Sequence, residues 1–176
     1  MKKKINKNKG IVFWIEGFSG SGKSTISKSI LKQIEKKFGK TVVLSGDHLR
    51  KLFSRNKFSK KERTKNSYIF SDFLKFLTKN KINIIYSVVC LNNKARRIYA
   101  NKIENFVSIY IKTDIRKIIS LKKKKIVYSK KKNILGIDIK PEYPRTPDII
   151  IENDFSKNNK KKMTSELINK INKILK

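Results

Sequence analysis

The stretch Gly17-Phe18-Ser19-Gly20-Ser21-Gly22-Lys23-Ser24-Thr25 fits the pattern G-x-x-x-x-G-K-[ST], with an apolar run before it and a helical pattern after it. Glycines at both ends of such a loop let backbone N–H groups approach phosphate oxygens that a Cβ would keep away. Lys23 supplies a mobile positive charge for the β- and γ-phosphates, and the Ser24 hydroxyl is placed to bind Mg²⁺. We therefore favour a phosphate-binding loop over a simple Gly/Ser-rich turn.

This loop suits the polyphosphate of a nucleotide, which would also meet the positive dipole end of the following helix. We predict that the loop contacts the phosphates through Gly17, Ser19, Gly20, Ser21, Gly22, Lys23, Ser24 and Thr25, with Ser24 as the Mg²⁺ ligand.

Strand and helix patterns alternate along the rest of the chain. Short apolar runs predict five strands, at 11–15, 41–44, 82–89, 106–111 and 148–152. Apolar residues at helical spacing predict helices at 23–38, after a capping box at Ser59 and Glu62, around Arg96, after Asp114, and at 163–175. This alternation predicts a three-layer α/β fold of the P-loop NTPase type, with a five-stranded parallel sheet flanked by helices.

The bulk composition limits the classes of protein that fit. The chain has 176 residues, which suits one domain, and its single cysteine, Cys90, excludes an intrachain disulfide. No apolar stretch is long enough for a signal peptide or a membrane span, so we expect a cytoplasmic protein without a membrane partner.

The charge is strongly basic, with a formal net charge of +32. The lysines are spread along the whole chain and few aromatic residues lie among them, so a solvated surface that attracts an anionic substrate is favoured over nucleic-acid binding. Residues 1–9 look like a mobile basic tail. Residues 122–132, of which seven are lysine, fit either a lid over phosphates or a solvated helix, and we favour a lid at about 114–135.

A second group of polar residues follows the second predicted strand. Asp47 and Arg50 come at its carboxyl end, where parallel α/β sheets bind ligands. Arg63 and Asn66 are three residues apart in the next helix and therefore share one side of it. Asp47 and Arg50 therefore predict a site for a second substrate.

Four segments together resemble the adenylylsulfate kinase family, whose members phosphorylate adenosine 5′-phosphosulfate (APS). The first, from Trp14 to Thr25, is similar to W-x-T-G-L-S-G-[SA]-G-K-S-T, and the second, from Gly46 to Arg50, is similar to G-D-N-[IVL]-R. The third includes Phe58, Ser59, Arg63 and Asn66 and is similar to G-F-S-x-x-[DE]-R-x-x-N. The fourth, residues 136–147, is similar to G-I-D-x-x-Y-E-x-P-x-x-P, and the resemblance runs from about residue 10 to residue 152.

The resemblance implies a single P-loop kinase domain over residues 10–176 and a role for each matched residue. With MgATP as the phosphate donor, Asp47 would orient the 3′-hydroxyl of APS and take its proton, while Lys23 would neutralise the transferring phosphoryl group. Arg50 and Arg63 would hold the phosphosulfate, and Phe58 would stack on the adenine. Further substrate contacts are implied at Asn66, Val89, Lys125 and Ile134. Whether two copies of the chain form a homodimer is left open at this point.

Several departures from the family pattern keep other functions open. They lie at 67–69, at 89–91 and in the lysine-rich 122–127 segment, all on the acceptor or lid side. A related kinase acting on another small-molecule hydroxyl is therefore an alternative, and a basic nucleic-acid-binding NTPase is a third hypothesis. Taken singly, Asp47 could be a helix N-cap, Phe58 a core residue and Arg50 a surface charge.

Overall fold

A computed structural model describes residues 3–55, 57–121 and 133–175 of the chain. Five strands form one parallel sheet: β1 (Val12–Glu16), β2 (Thr41–Ser45), β3 (Asn83–Val88), β4 (Phe106–Lys112) and β5 (Ile149–Glu152). Their order across the sheet is β2-β3-β1-β4-β5, so β1 is central. The loop that follows β1 therefore leaves the middle of the sheet at its carboxyl edge.

The described part of the chain contains six α-helices, which cover both faces of the sheet. They are α1 (Lys23–Phe38), α2 (Gly46–Leu52), α3 (Lys60–Lys79), α4 (Asn93–Lys102), α5 (Ile115–Ser120) and α6 (Asn159–Ile174). Helices α1 and α6 pack on one face of the sheet, and α3 and α4 pack on the other. This is the three-layer P-loop NTPase fold predicted from the sequence.

The central strand shows why the layers form. Its alternating side chains point to opposite faces, as in any strand. Phe13 and Ile15 belong to the core with α1 and α6, whereas Val12 and Trp14 belong to the core with α3 and α4. Both sets are fully buried, which accounts for the continuous apolar run in the sequence. By the same alternation, Glu16 lies on the face of the sheet that carries Val12 and Trp14.

The structure confirms the five predicted strands to within one residue at either end and gives α1 the predicted limits. One half of the predicted capping box is seen, because the Ser59 side chain caps α3 by accepting a hydrogen bond from the Glu62 N–H. Helix α2 was not predicted, and it places Asp47 and His48 in the first turn of a helix rather than in a loop.

The amino-terminal segment differs from the mobile tail expected. The Lys3 N–H donates to the Ile174 carbonyl at 2.9 Å, and its Nζ lies 2.7 Å from a carboxylate oxygen of Asp148. Ile5 packs against the core of α1 and α6, and Asn105 binds Asn6. Residues 3–9 are therefore held to the domain by long-range contacts that charge content alone does not reveal.

No helix in the described ranges combines the length and the hydropathy that a membrane span requires.

Candidate active site

The phosphate-loop sequence forms a tight turn between β1 and α1. Gly20 and Gly22 have φ angles of 84° and 94°, in the left-handed region that favours glycine. Lys23 is the first residue of α1, and its Nζ donates to the Phe18 carbonyl at 2.5 Å, so its side chain folds back over the loop. Ser24 and Thr25 are exposed in the first helical turn. The geometry suits an anion bound at the start of α1.

Asp47 lies at the carboxyl end of β2 with an exposed side chain, 83% accessible, paired with the guanidinium of Arg50. Because Ser45 is the N-cap of α2, Asp47 is not needed for that structural role. Strands β2 and β1 are separated by β3, and two steps of about 4.8 Å put their ends about 10 Å apart. Because the strands are parallel, Asp47 lies at the same edge of the sheet as the phosphate loop.

Arg50, Phe58 and Arg63 form the centre of the acceptor-side cluster. The guanidinium carbons of Arg50 and Arg63 lie 4.9 Å and 5.9 Å from the centroid of the Phe58 ring. Both distances are typical of cation–π contacts. Arg50 is thus not a free surface charge, and Phe58 is a half-buried ring covered by cations rather than a buried core residue.

Arg63 joins three separate segments of the chain. Its Nε donates to the Phe58 carbonyl and one terminal nitrogen donates to the Val89 carbonyl, both at 2.9 Å. The other terminal nitrogen donates to the Asn133 carbonyl at 3.2 Å. Burial lowers the pKa of Arg63, but a guanidinium still keeps its charge at neutral pH. The geometry leaves Arg63 as a fixed positive charge at the site.

Asn66 lies beside these arginines and is buried. It borders a cavity of about 20 Å³ whose wall includes Arg50, Arg63, Val89 and Cys90. Its Oδ1 has no hydrogen-bond partner among the described residues. A buried amide oxygen without a partner is costly, so this atom is a candidate contact for a bound molecule or water.

The remaining predicted substrate positions divide into two cases. Ile134 is buried next to Asn133, and its N–H donates to a carboxylate oxygen of Asp138 at 2.9 Å in the turn that opens the fourth matched segment. It therefore lies close to Arg63. Lys125, with residues 122–132 of the predicted lid, lies outside the described residues.

Sequence reasoning gave no role to Glu16, which is fully buried at the end of β1, directly before the phosphate loop. Burial raises the pKa of Glu16 to about 7, although the nearby charges of Arg96 and Lys23 act to lower it. Arg96 on α4 donates from Nε to a Glu16 carboxylate oxygen at 2.7 Å, and its NH2 group donates to the Glu142 carbonyl. The family pattern matched by Trp14 to Thr25 has threonine where this chain has Glu16, and that difference was the available signal.

Glu142 extends this network towards the acceptor side. Its carboxylate accepts from Lys60, at the start of α3, and from the Asn93 N–H, at the start of α4, at 2.9 Å and 2.8 Å. The end of β1 and the helix that carries Arg63 and Asn66 are therefore connected through Arg96 and Glu142.

Cys90 borders the cavity beside Asn66 but is not a candidate nucleophile. Burial raises the pKa of the Cys90 thiol to about 12, so it is protonated at neutral pH and is a poor nucleophile. His48 is exposed on α2. Within the described ranges no group of three or more His, Cys, Asp or Glu side chains could hold a metal. The exposed Ser24 hydroxyl is an oxygen donor of the type that Mg²⁺ prefers.

Comparison with known proteins identifies a matching family and similar sequences. Residues 9–152 match the sequence profile of the family described as adenylylsulphate kinase. The probable adenylyl-sulfate kinase of Archaeoglobus fulgidus is 33% identical over 151 residues, which cover 81% of this chain and 96% of that protein. The cytidine diphosphoramidate kinase of Campylobacter jejuni is 27% identical over 161 residues, covering 89% and 94%.

Solved structures show the same fold. The Mycobacterium tuberculosis APS kinase, determined in complex with AMPPNP and APS, superposes with a TM-score of 0.78 at 22% identity, covering 93% of this chain and 98% of that one. At this identity the similarity establishes the architecture, while the choice of acceptor depends on individual side chains.

Proposed function

Because this chain belongs to the adenylylsulfate kinase family, we propose that it transfers the γ-phosphate of MgATP to the 3′-hydroxyl of APS, giving 3′-phosphoadenylylsulfate. The observation that carries the proposal is the cluster of Asp47, Arg50, Phe58 and Arg63, at the same sheet edge as the phosphate loop. The cluster combines a carboxylate, an aromatic ring and two guanidinium groups, which match the hydroxyl, the base and the anion of a nucleotide acceptor.

On the donor side, the loop would bind the ATP phosphates through its backbone N–H groups. Lys23 would move from the Phe18 carbonyl to the phosphate oxygens and offset charge on the transferring group. Bound Mg²⁺ would supply further neutralisation of the β- and γ-phosphates, and Ser24 would hold it on the protein side.

On the acceptor side, Asp47 would accept a hydrogen bond from the 3′-hydroxyl and then its proton. In the structure Asp47 is paired with Arg50, so an anionic acceptor that binds Arg50 would compete for that pairing and leave the carboxylate available. Arg63 would bind the same anion, since guanidinium groups suit arrays of anionic oxygens. Phe58 would stack against the base.

A second acceptor is supported by a specific comparison. The cytidine diphosphoramidate kinase of Campylobacter jejuni matches almost the whole chain, and cytidine diphosphoramidate is also a nucleotide with an anionic diphosphate-like group. The same carboxylate, ring and guanidinium groups could bind it. The departures at 67–69 and 89–91, beside Asn66 and Val89, lie where the two acceptors would be distinguished.

The proposal is tested by measuring ADP release from MgATP by purified protein with APS, cytidine diphosphoramidate or a sulfur-free alcohol as acceptor. We expect ADP release that depends on APS, and at least a hundredfold lower kcat in Asp47→Asn with little change in ATP affinity. Lys23→Ala should lose activity with every acceptor. Turnover with cytidine diphosphoramidate and none with APS would select the second acceptor, and APS-dependent release unchanged in Asp47→Asn would refute the assigned base.

A further inference from the structure

Asn153 is a buried residue that directly follows β5, and its side chain binds the backbone of the phosphate loop. Its side chain Nδ2 donates to the Ser21 carbonyl at 2.9 Å. Its Oδ1 accepts from the Phe155 N–H at 3.0 Å and from the Asn159 side chain at 2.7 Å. Because the Phe155 backbone nitrogen can only donate, Oδ1 must face it, and this fixes Nδ2 on Ser21.

The contact to Ser21 determines how one peptide of the loop is turned. In a trans peptide, the carbonyl of Ser21 and the N–H of Gly22 lie in one plane and point in opposite directions. Fixing the carbonyl on Asn153 therefore directs the Gly22 N–H to the opposite side. Gly22 has a φ of 94°, and a Cβ there would lie 2.9 Å from Asn153 Nδ2, so the two residues are closely fitted.

We propose that Asn153 is a positioning residue for the phosphate loop, holding the Ser21 carbonyl away from the bound phosphates so that the Gly22 N–H faces them. The inference rests on the proposed binding of ATP at this loop. A carbonyl turned towards the phosphates would repel them, and without Asn153 the carbonyl of the fully buried Ser21 would lose its hydrogen-bond donor.

Asn159 supports the same arrangement from α6. It is buried at the first position of the helix and its amide donates to Asn153, so the loop, the end of β5 and α6 are connected by two side-chain amides. Both asparagines, with Gly20 and Gly22, also line a cavity of about 400 Å³. A test must therefore separate an effect on the phosphates from an effect on the rest of the nucleotide.

Inorganic tripolyphosphate makes that separation, because it has the phosphates of ATP without the nucleoside. Asn153→Ser can keep the local turn contact to the Phe155 N–H but is too short to reach Ser21. We expect the Kd for tripolyphosphate and the Kd for ATP, measured by calorimetry with Mg²⁺, to rise by the same factor of about ten, as for the loss of one buried hydrogen bond.

Asn105→Ser is the matched control. Asn105 is also buried and its amide donates to the carbonyls of Asn6 and Lys9, at 2.8 Å and 3.0 Å, but it precedes β4 at the other end of the sheet. The Asn105→Ser substitution should lower the melting temperature of the protein and leave the Kd values for tripolyphosphate and ATP unchanged.

A further variant, Asn159→Ala, keeps the Ser21 contact but removes one support of Asn153, and it should raise the Kd for tripolyphosphate about threefold. This keeps the inference open to refutation if Asn153→Ser does not fold. Unchanged tripolyphosphate binding in the folded variants, or weaker binding of ATP alone, would overturn the positioning role. Failure of the wild-type protein to bind ATP would instead refute the proposed function, and this inference with it.

Discussion

Replacing Glu16 with glutamine should change how the stability of the protein depends on pH. Glu16 is fully buried, and its pKa in the folded protein is about 7, against an ordinary value of 4.5. At about 1.4 kcal/mol for each pKa unit, the difference corresponds to about 3 kcal/mol of stability. Glutamine retains the shape of the side chain and cannot titrate.

The sign follows from the two protonation states. Below pH 4.5 the carboxyl is protonated in both the folded and the unfolded chain. Between pH 4.5 and about 7 the unfolded chain releases the proton while the folded protein retains it, so the free energy of unfolding falls as the pH rises. Above pH 7 this contribution levels off. Between pH 5 and pH 8 the wild type should lose about 2.5 kcal/mol relative to Glu16→Gln.

The assay is urea unfolding followed by circular dichroism at several pH values from 5 to 8. Glu142→Gln is the control, because hydrogen bonds from the Asn93 N–H and from Lys60 lower the pKa of Glu142, and it is ionised in both states across this range. Its difference from wild type should therefore be independent of pH. If the difference in the free energy of unfolding between Glu16→Gln and wild type were also independent of pH, or changed in the opposite direction, the raised pKa of a buried Glu16 carboxyl would be refuted.

Three further substitutions test the structure at separate points. In Gly10→Ala the new Cβ would lie 2.0 Å from the Ile82 carbonyl oxygen, so the free energy of unfolding in urea should fall by about 2–4 kcal/mol; a wild-type value would contradict this backbone contact. Arg63→Lys loses the guanidinium group that binds three carbonyl oxygens. In steady-state assays the KM for the acceptor should therefore rise at least tenfold, with the KM for ATP unchanged. Equal changes in the two KM values would refute an acceptor-side role. In Gly136→Ala the φ of 93° is strained for alanine and the new Cβ would lie 2.7 Å from the Phe18 ring. The free energy of unfolding, measured by thermal unfolding, should fall by about 1–3 kcal/mol, and the KM for ATP should rise. Wild-type values of both would rule out this packing on the phosphate loop.

The elements that the sequence predicted well are those with a strong local signal. The apolar run before Gly17 and the four-residue spacing of isoleucines in α1 depend only on neighbouring residues, and both appear in the structure at the predicted places. The place of Asp47 and Arg50 after the second strand predicted a second-substrate site. The resemblance added Phe58 and Arg63 to it, and the structure places all four residues in one cluster.

The features that the sequence did not predict depend on partners far apart in the chain. Glu16 and Arg96 are 80 residues apart, and Asn153 and Ser21 are 132 apart, so no local pattern joins them. Helix α2 has only seven residues and starts at a glycine, which is typical of a loop rather than of a helix. The Lys3 contact to Asp148 likewise gives order to a segment that its lysines made look mobile.

The most direct test of the account follows the phosphoryl group itself. Purified protein is incubated with ATP labelled in the γ-phosphate, Mg²⁺ and APS, and the labelled product is separated and digested with a 3′-nucleotidase. We predict that the label appears in 3′-phosphoadenylylsulfate and is released by the nucleotidase, and that Asp47→Asn slows its formation at least a hundredfold. Label found only in inorganic phosphate, or only in another acceptor supplied beside APS, would contradict the assignment of APS as the substrate.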